Sequence, residues 1–142
     1  MSEELRENAI AREIVDAAYK VHSTLGPGLL ESVYQECMVV ELKSANLDVE
    51  SDRRVALEYK GKRIRAELKL DLLVGGCVVV ELKAVERIHP VYLAQVITYL
   101  KLTGCPAGLL MNFNSTSLKS GLRRLDHPDL YKHKQHKLDG AL

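Results

Sequence analysis

Apolar residues recur at helical spacing near the start of the chain, where Ile10, Ile14, Ala17 and Val21 lie four, three and four positions apart. Glu3 and Glu4 ahead of them favour a helix N-terminus, so the pattern predicts an amphipathic helix from about Glu3 to Thr24. Leu25-Gly26-Pro27-Gly28 breaks it. A second helix is predicted from about Leu30 to Ala45, with Leu30, Val33, Cys37 and Val40 on its inner stripe and Asn46 at its end.

From Val49 the period changes from about 3.6 to 2. Val55, Leu57 and Tyr59 alternate with Ala56, Glu58 and Lys60. After a turn at Lys60-Gly61-Lys62, Ile64, Ala66, Leu68 and Leu70 alternate with Arg65, Glu67, Lys69 and Asp71. This predicts a meander that leads into LDLLVGGCVVVELKAV, residues 70–85, which reads as two apolar strands joined at Gly75-Gly76. Ala84 to His89 is a connection, and Pro90 suits a first helical position. The helix it opens runs to about Leu102 and is stopped by Gly104. Ala107 to Phe113 then reads as an apolar strand, so strand, helix and strand predict a parallel crossover. Leu118, Leu122 and Leu125 mark a short helix or an edge strand. Residues 126–142 form a polar tail with His127, His133 and His136 among lysines, expected to be loosely packed. The expected organisation is one domain over 1–125 followed by that tail, an α/β fold with a mixed central sheet flanked by helices.

Composition narrows the function classes. At 142 residues, 46% hydrophobic and 27% charged, the chain is long enough to bury a core and is not of disordered type. Net charge is +1, but residues 1–50 hold ten acidic and four basic side chains, against nine and sixteen in residues 51–142. The later part can therefore present a basic surface, although solvated faces are the more ordinary explanation of such a split. Cys37, Cys77 and Cys105 are odd in number, widely spaced and set among apolar residues. They are expected to be buried reduced thiols, which points to a cytoplasmic compartment. The opening MSEELRENAI lacks the basic-then-apolar order of a signal peptide, and no apolar run approaches the ~20 residues that span a bilayer, so no membrane insertion is expected.

Within the apolar run, Asp71, Glu81 and Lys83 stand out. Strand alternation puts Glu81 and Lys83 on one face and Val80 and Leu82 on the other, and an unpaired carboxylate in an interior strand is costly. Either the charges neutralise one another in a salt bridge, or a hard divalent cation holds the carboxylates beside the lysine. Glu31 and Tyr34 share a helix face, as do Gln95 and Tyr99. Taken singly, each has a plain reading: dipole complement for Glu31, packing for the tyrosines, a solvated side chain for Gln95. His133-x-x-His136 has no further ligand nearby in the sequence and is not expected to make a metal site.

Together these residues match a known pattern. Gly28-Leu29-Leu30-Glu31-Ser32-Val33-Tyr34 is a GxxExxY motif, and with DLLV at Asp71, VVVELKAV around Glu81 and Lys83, and AQVITYLK around Gln95, the chain resembles the GxxExxY family from about Ala17 to Phe113. That family is placed in the PD-(D/E)xK nuclease superfamily. The resemblance implies a restriction-endonuclease-like core with Asp71, Glu81 and Lys83 on adjacent central strands and Glu31 joining them. Gln95 and Tyr99 match a helix of the superfamily's RecB-like branch. It implies a nuclease in which Glu31, Asp71 and Glu81 hold Mg²⁺ or Mn²⁺, Lys83 stabilises charge at the scissile phosphate, and Gln95, Tyr99 and Tyr34 support the site or position substrate. The partner implied is nucleic acid, DNA ahead of RNA, and cutting both strands of a duplex would call for a homodimer. The chain departs from the family at Tyr92, where members often carry histidine, and at Lys69, where they often carry arginine. A non-catalytic nucleic-acid-binding or assembly module that keeps the fold is the alternative, and a structural protein with a buried ion network is a third.

Overall fold

The computed structural model describes residues 5–130. In chain order they form α1 (Arg6–Leu25), α2 (Glu31–Ser44), β1 (Val49–Tyr59), β2 (Lys62–Val74), β3 (Val78–Lys83), α3 (Pro90–Thr103), β4 (Ala107–Asn112), a single 3₁₀ turn (Leu118–Gly121) and β5 (Leu122–Asp126). Spatial order in the five-stranded sheet equals chain order. β3 and β4 are parallel, while β1–β2, β2–β3 and β4–β5 are antiparallel, so the sheet is mixed.

The parallel pair follows from α3, whose covalent path carries the chain from the end of β3 back to the start of β4. Pro90 sits in the first turn of α3, and Gly104 ends it with φ 75°, a left-handed conformation in which a Cβ would be strained. Gly75 and Gly76 turn β2 into β3 with φ of 61° and 63°. Within the described residues no helix is long and apolar enough to cross a membrane.

Helices cover both sheet faces. Buried residues of α1 and α2 pack with Leu72, Val74, Val80, Leu82 and Met111, and α3 packs through Val96, Tyr99 and Leu100 against Leu73, Val79 and Leu110. At Gly108 on β4 the strand lies close under α3, since a Cβ there would lie 2.7 Å from Val96 Cγ1. The fully buried Val78 and Val80 explain why this strand is an apolar run and not an alternating one.

Three expectations need correction. The buried line of α2 is Tyr34, Met38 and Leu42, while Leu30 and Val40 are 75% and 64% exposed. Both lines of that helix are apolar, so periodicity alone did not choose between them. Tyr34 decides it by stacking on Phe113, with ring centroids 4.7 Å apart. The outer part of the β1–β2 hairpin has no buried face, because Tyr59 and Ile64 are 63% and 41% exposed and no helix lies over them. Packing also continues past Leu125. His127 is buried, donates its backbone N–H to the Pro106 carbonyl at 2.9 Å, and accepts the Asp129 N–H at ring Nδ1. Cys77 and Cys105 are buried free thiols and Cys37 is half-buried. His133 and His136 lie outside the described residues.

Candidate active site

The site begins at the join of α1 and α2. Gly26 and Gly28 both have positive φ, 69° and 102°, and a Cβ at either would meet nothing within 4 Å, so glycine is required there by backbone conformation alone. The Tyr34 hydroxyl donates to the Gly26 carbonyl at 2.6 Å and accepts the Leu29 N–H at 3.1 Å. Asn114, just beyond β4, accepts the Gly28 N–H at 3.1 Å. Glycine, glutamate and tyrosine at spacings of three thus form one device: the glycines turn the chain, Tyr34 ties the turn to the helix, and Glu31 becomes the first residue of α2. Tyr34 is fully buried with its hydroxyl engaged by the loop.

Asp71 and Glu81 meet where β2 leaves β3. Backbone pairing of these strands ends at Leu72↔Val80. Beyond it the carboxylates continue the ladder: Asp71 Oδ2 accepts the Leu82 N–H at 2.8 Å, and Glu81 Oε1 accepts the Asp71 N–H at 3.1 Å. Backbone donors released by the parting strands are satisfied in this way, and the gap between the strands is lined with acid. The Asp71 carbonyl accepts the Gln35 amide at 3.0 Å, and the same Nε2 reaches Asp52 Oδ1 at 3.2 Å.

Crowding and burial decide the protonation of this pair. Burial pushes the Glu81 carboxyl up to about 8, reinforced by the charge of Asp71 and opposed by the Asp71 N–H and Lys83. Asp71 is also raised, chiefly by burial, with the Leu82 N–H, Lys83 and a hydrogen bond from Glu81 opposing. The two carboxyls therefore titrate together, as a pair held above the usual carboxylate range. Glu31, at the rim, is raised by partial burial, which the charge of Lys83 opposes, the charge of Asp71 reinforces and the Ala84 N–H opposes.

Lys83 occupies the next outward position on the Glu81 face of β3. Its ammonium lies 4.6 Å from the centroid of the Tyr92 ring, which His89 meets edge-on at 5.6 Å. It acts on all three acids through space while its ammonium lies over that aromatic face. Asn112, paired with Lys83 across the parallel ladder, is 2% exposed. Its Oδ1 accepts the Val85 and Asn114 N–H groups at 3.0 and 3.2 Å, and its Nδ2 donates to the Val85 carbonyl at 2.9 Å. On α3, Tyr99 is buried and its phenol is raised by burial and by the charges of Glu81 and Asp71, so it lies within electrostatic reach of the pair. Gln95, one turn earlier, is exposed.

The structure thus brings Asp71 and Glu81 into direct contact, with Lys83, Tyr99 and Glu31 around them. Among the described residues no group of three His, Cys, Asp or Glu side chains is close enough to hold an ion, so Glu31 does not reach the other two in this arrangement. The donor chemistry of Asp71 and Glu81 nevertheless fits a hard cation: two carboxylates pressed together and partly desolvated are what a divalent charge would stabilise.

Gln35, Asp52 and Asn112 are not singled out by the sequence, which marks Tyr92 only as the place where family members often carry histidine. Asn112 left a signal, as the one amide in the otherwise apolar Ala107 to Phe113. Gln35 left a weaker one, four positions after Glu31 on the same helix face.

A family model described as the PD-(D/E)XK nuclease superfamily matches residues 8–125, most of the chain. No curated relative and no solved structure matches it.

Proposed function

The chain belongs to the PD-(D/E)XK nuclease superfamily, whose members generally use divalent metal ions, and on that premise we propose that it is a metal-dependent nuclease that hydrolyses phosphodiester bonds, with DNA as substrate ahead of RNA. The supporting observation is the contact of Asp71 with Glu81 where β2 and β3 part, with Lys83 on the same strand face as Glu81. On this reading Asp71 and Glu81, joined by Glu31 after a side-chain rotation, would hold Mg²⁺ or Mn²⁺. The ion would supply positive charge that acidifies an attacking water and offsets charge on the phosphate. Lys83 donates to the phosphate oxygens as they gain charge, and Tyr92 keeps its ammonium extended toward the opening. Water adds to phosphorus and one P–O ester bond breaks, leaving a phosphomonoester and a hydroxyl. Gln95 and Tyr99 take supporting places on α3. The GxxExxY phrase at Gly28 to Tyr34 is the basis for assigning the finer family, and a homodimer is our reading for cutting both strands.

The test is cleavage of labelled single- and double-stranded DNA and RNA with Mg²⁺ or Mn²⁺, by the natural chain and by Asp71→Asn, Glu81→Gln and Lys83→Ala. Metal-dependent DNA cleavage that drops by about 10²-fold or more in each variant is expected. Cleavage that survives chelation, or is undiminished in the variants, would refute the assignment. The separation of Glu31 from the other two acids favours a second reading, a nucleic-acid-binding module without catalysis. That reading requires binding without cleavage of any substrate and no change of stability with metal.

A further inference from the structure

The β1–β2 hairpin joins the core through Val55 and Leu68, and its outer part from Glu58 to Glu67 takes no part in it. From Arg53 to Lys69 it carries seven basic side chains, Arg53, Arg54, Lys60, Lys62, Arg63, Arg65 and Lys69, and two acidic ones, Glu58 and Glu67. That is a net charge of +5 in seventeen residues of a chain whose total is +1, so the rest of the molecule is at −4. All seven basic residues are exposed. From Glu58 to Glu67 every residue is exposed on both faces of the ribbon. A free two-stranded ribbon is marginal by itself, and from Glu58 to Glu67 this one adds nothing to either core, so packing does not account for that part.

Its geometry is also specific. Regular pairing breaks between Val55 and Leu57: Val55 lies opposite Leu68 but Leu57 lies opposite Ile64, so Arg65, Ala66 and Glu67 face Ala56 alone. Such a bulge bends and twists a ribbon. Two concavities of about 360 and 250 Å³ open there, one with Arg63 and Arg65 in its lining, the other with Arg54 and Lys69. The root of the arm is fixed to the site, because Leu70, paired with Arg53, directly precedes Asp71. At ~3.3 Å per residue, Lys62 stands up to about 26 Å from Leu70 along the strand.

We propose that this basic ribbon is a duplex-DNA grip, which enters the major groove and contacts phosphates on its walls while the acids at its root face the backbone. The proposal rests on the nuclease reading for the nature of the substrate and extends it to a substrate form. Two strands ~4.8 Å apart with their side chains fit a groove ~12 Å wide in B-form DNA, whereas the major groove of A-form RNA is too narrow. The opposite charge of arm and body orients the approach, because the body repels the phosphates that the arm attracts.

The experiment is equilibrium binding of a labelled 20-base-pair DNA duplex, with EDTA present so that no cleavage occurs, as a function of salt. The natural chain is compared with a quadruple variant, Lys62→Gln, Arg63→Gln, Arg65→Gln and Lys69→Gln. All four positions are exposed, so an unchanged thermal midpoint is the folding control. If each contributes one phosphate contact at ~0.9 in the slope of log K against log salt, the slope should fall in magnitude by about 3.6 and affinity by tenfold or more at 0.1 M salt. An RNA duplex of equal length should bind at least about tenfold more weakly than DNA. Equal DNA affinity and equal slope in the variant would overturn the proposal, as would equal affinity for the RNA duplex. So would loss of a dimer on substitution, seen by sedimentation, which would assign the arm to the acidic body of a second copy. A chain that binds through the arm yet cleaves nothing with any metal keeps the grip and loses the nuclease reading. A chain that cleaves but binds regardless of the arm does the reverse.

Discussion

Replacing Glu81 with glutamine should stabilise the metal-free protein at alkaline pH. Glu81 is 5% exposed, and its carboxyl moves from an ordinary 4.5 to about 8 on folding. Below about pH 4.5 it is protonated whether the chain is folded or not, so it contributes no pH dependence. Between 4.5 and 8 the unfolded chain releases a proton that the folded chain keeps, so stability falls as pH rises, and above 8 the full penalty of a second buried charge is present. A displacement of that size corresponds to about 5 kcal/mol. Asp71 and Glu31 are displaced in the same direction and add to the fall. Glutamine cannot ionise, and it keeps an amide donor for Asp71 and an oxygen for the Asp71 N–H. The Glu81→Gln variant should therefore match the natural chain near pH 5 within about 1 kcal/mol. At pH 9 it should exceed the natural chain by several kcal/mol. Urea unfolding at pH 5, 7 and 9 in EDTA measures this. Natural-chain stability that is flat or rises from pH 5 to 9, or a variant with the same slope as the natural chain, would refute the reasoning. With millimolar Mg²⁺ or Mn²⁺, the natural chain should recover stability at pH 9 and the variant should gain much less.

Three further substitutions test the frame around the site. Asn112→Ala leaves the half-buried Val85 N–H and carbonyl without their partner and should cost about 1–3 kcal/mol by urea unfolding. Tyr34→Phe keeps the ring stacked on Phe113 but removes the bonds to Gly26 and Leu29; it should cost about 1–2 kcal/mol. A crystal structure of that variant should show the Gly26 to Leu30 loop displaced. Gly108→Ala drives a Cβ to within 2.7 Å of Val96 Cγ1 and 3.4 Å of Leu100 Cδ2, and should lower stability by about 1–3 kcal/mol as α3 is pushed off the sheet.

Much of this architecture is legible in the residues. The apolar runs at Leu72 to Val74 and Cys77 to Val80 could only be interior strands, and Pro90 with Gly104 bracket α3 to within a residue. The crossover then follows from connection length. Asp71, Glu81 and Lys83 could be singled out because charge inside an apolar strand needs a partner. What the sequence did not disclose depends on contacts between distant segments. The rotation of α2 turns on Tyr34 meeting Phe113, seventy-nine positions later. Asp52 and Gln35 come to Asp71 only because α2 lies over the end of the first hairpin. Alternation along Leu57, Tyr59, Ile64 and Ala66 is that of a half-buried ribbon, but period-2 spacing records which residues share a face and not whether anything covers it.

On the proposed reading the two acids have two functions at once, and this governs how any activity measurement is read. Asp71 and Glu81 line the opening, yet each also accepts a backbone N–H that the parting strands would otherwise leave unpaired. An alanine at either position removes the acid and that acceptor together, so lost cleavage would not separate chemistry from a shifted strand. The cost of an orphaned N–H, about 1–3 kcal/mol, is measurable and marks the structural part. Asparagine at 71 or glutamine at 81 keeps an oxygen for the same N–H and removes only the charge. If the amide variants fold like the natural chain but neither cleave nor respond to metal, the carboxylates act through their charge. If the amide variants cleave normally while the alanine variants do not, Asp71 and Glu81 are joints of the sheet alone, and their assignment as metal-holding catalytic acids falls.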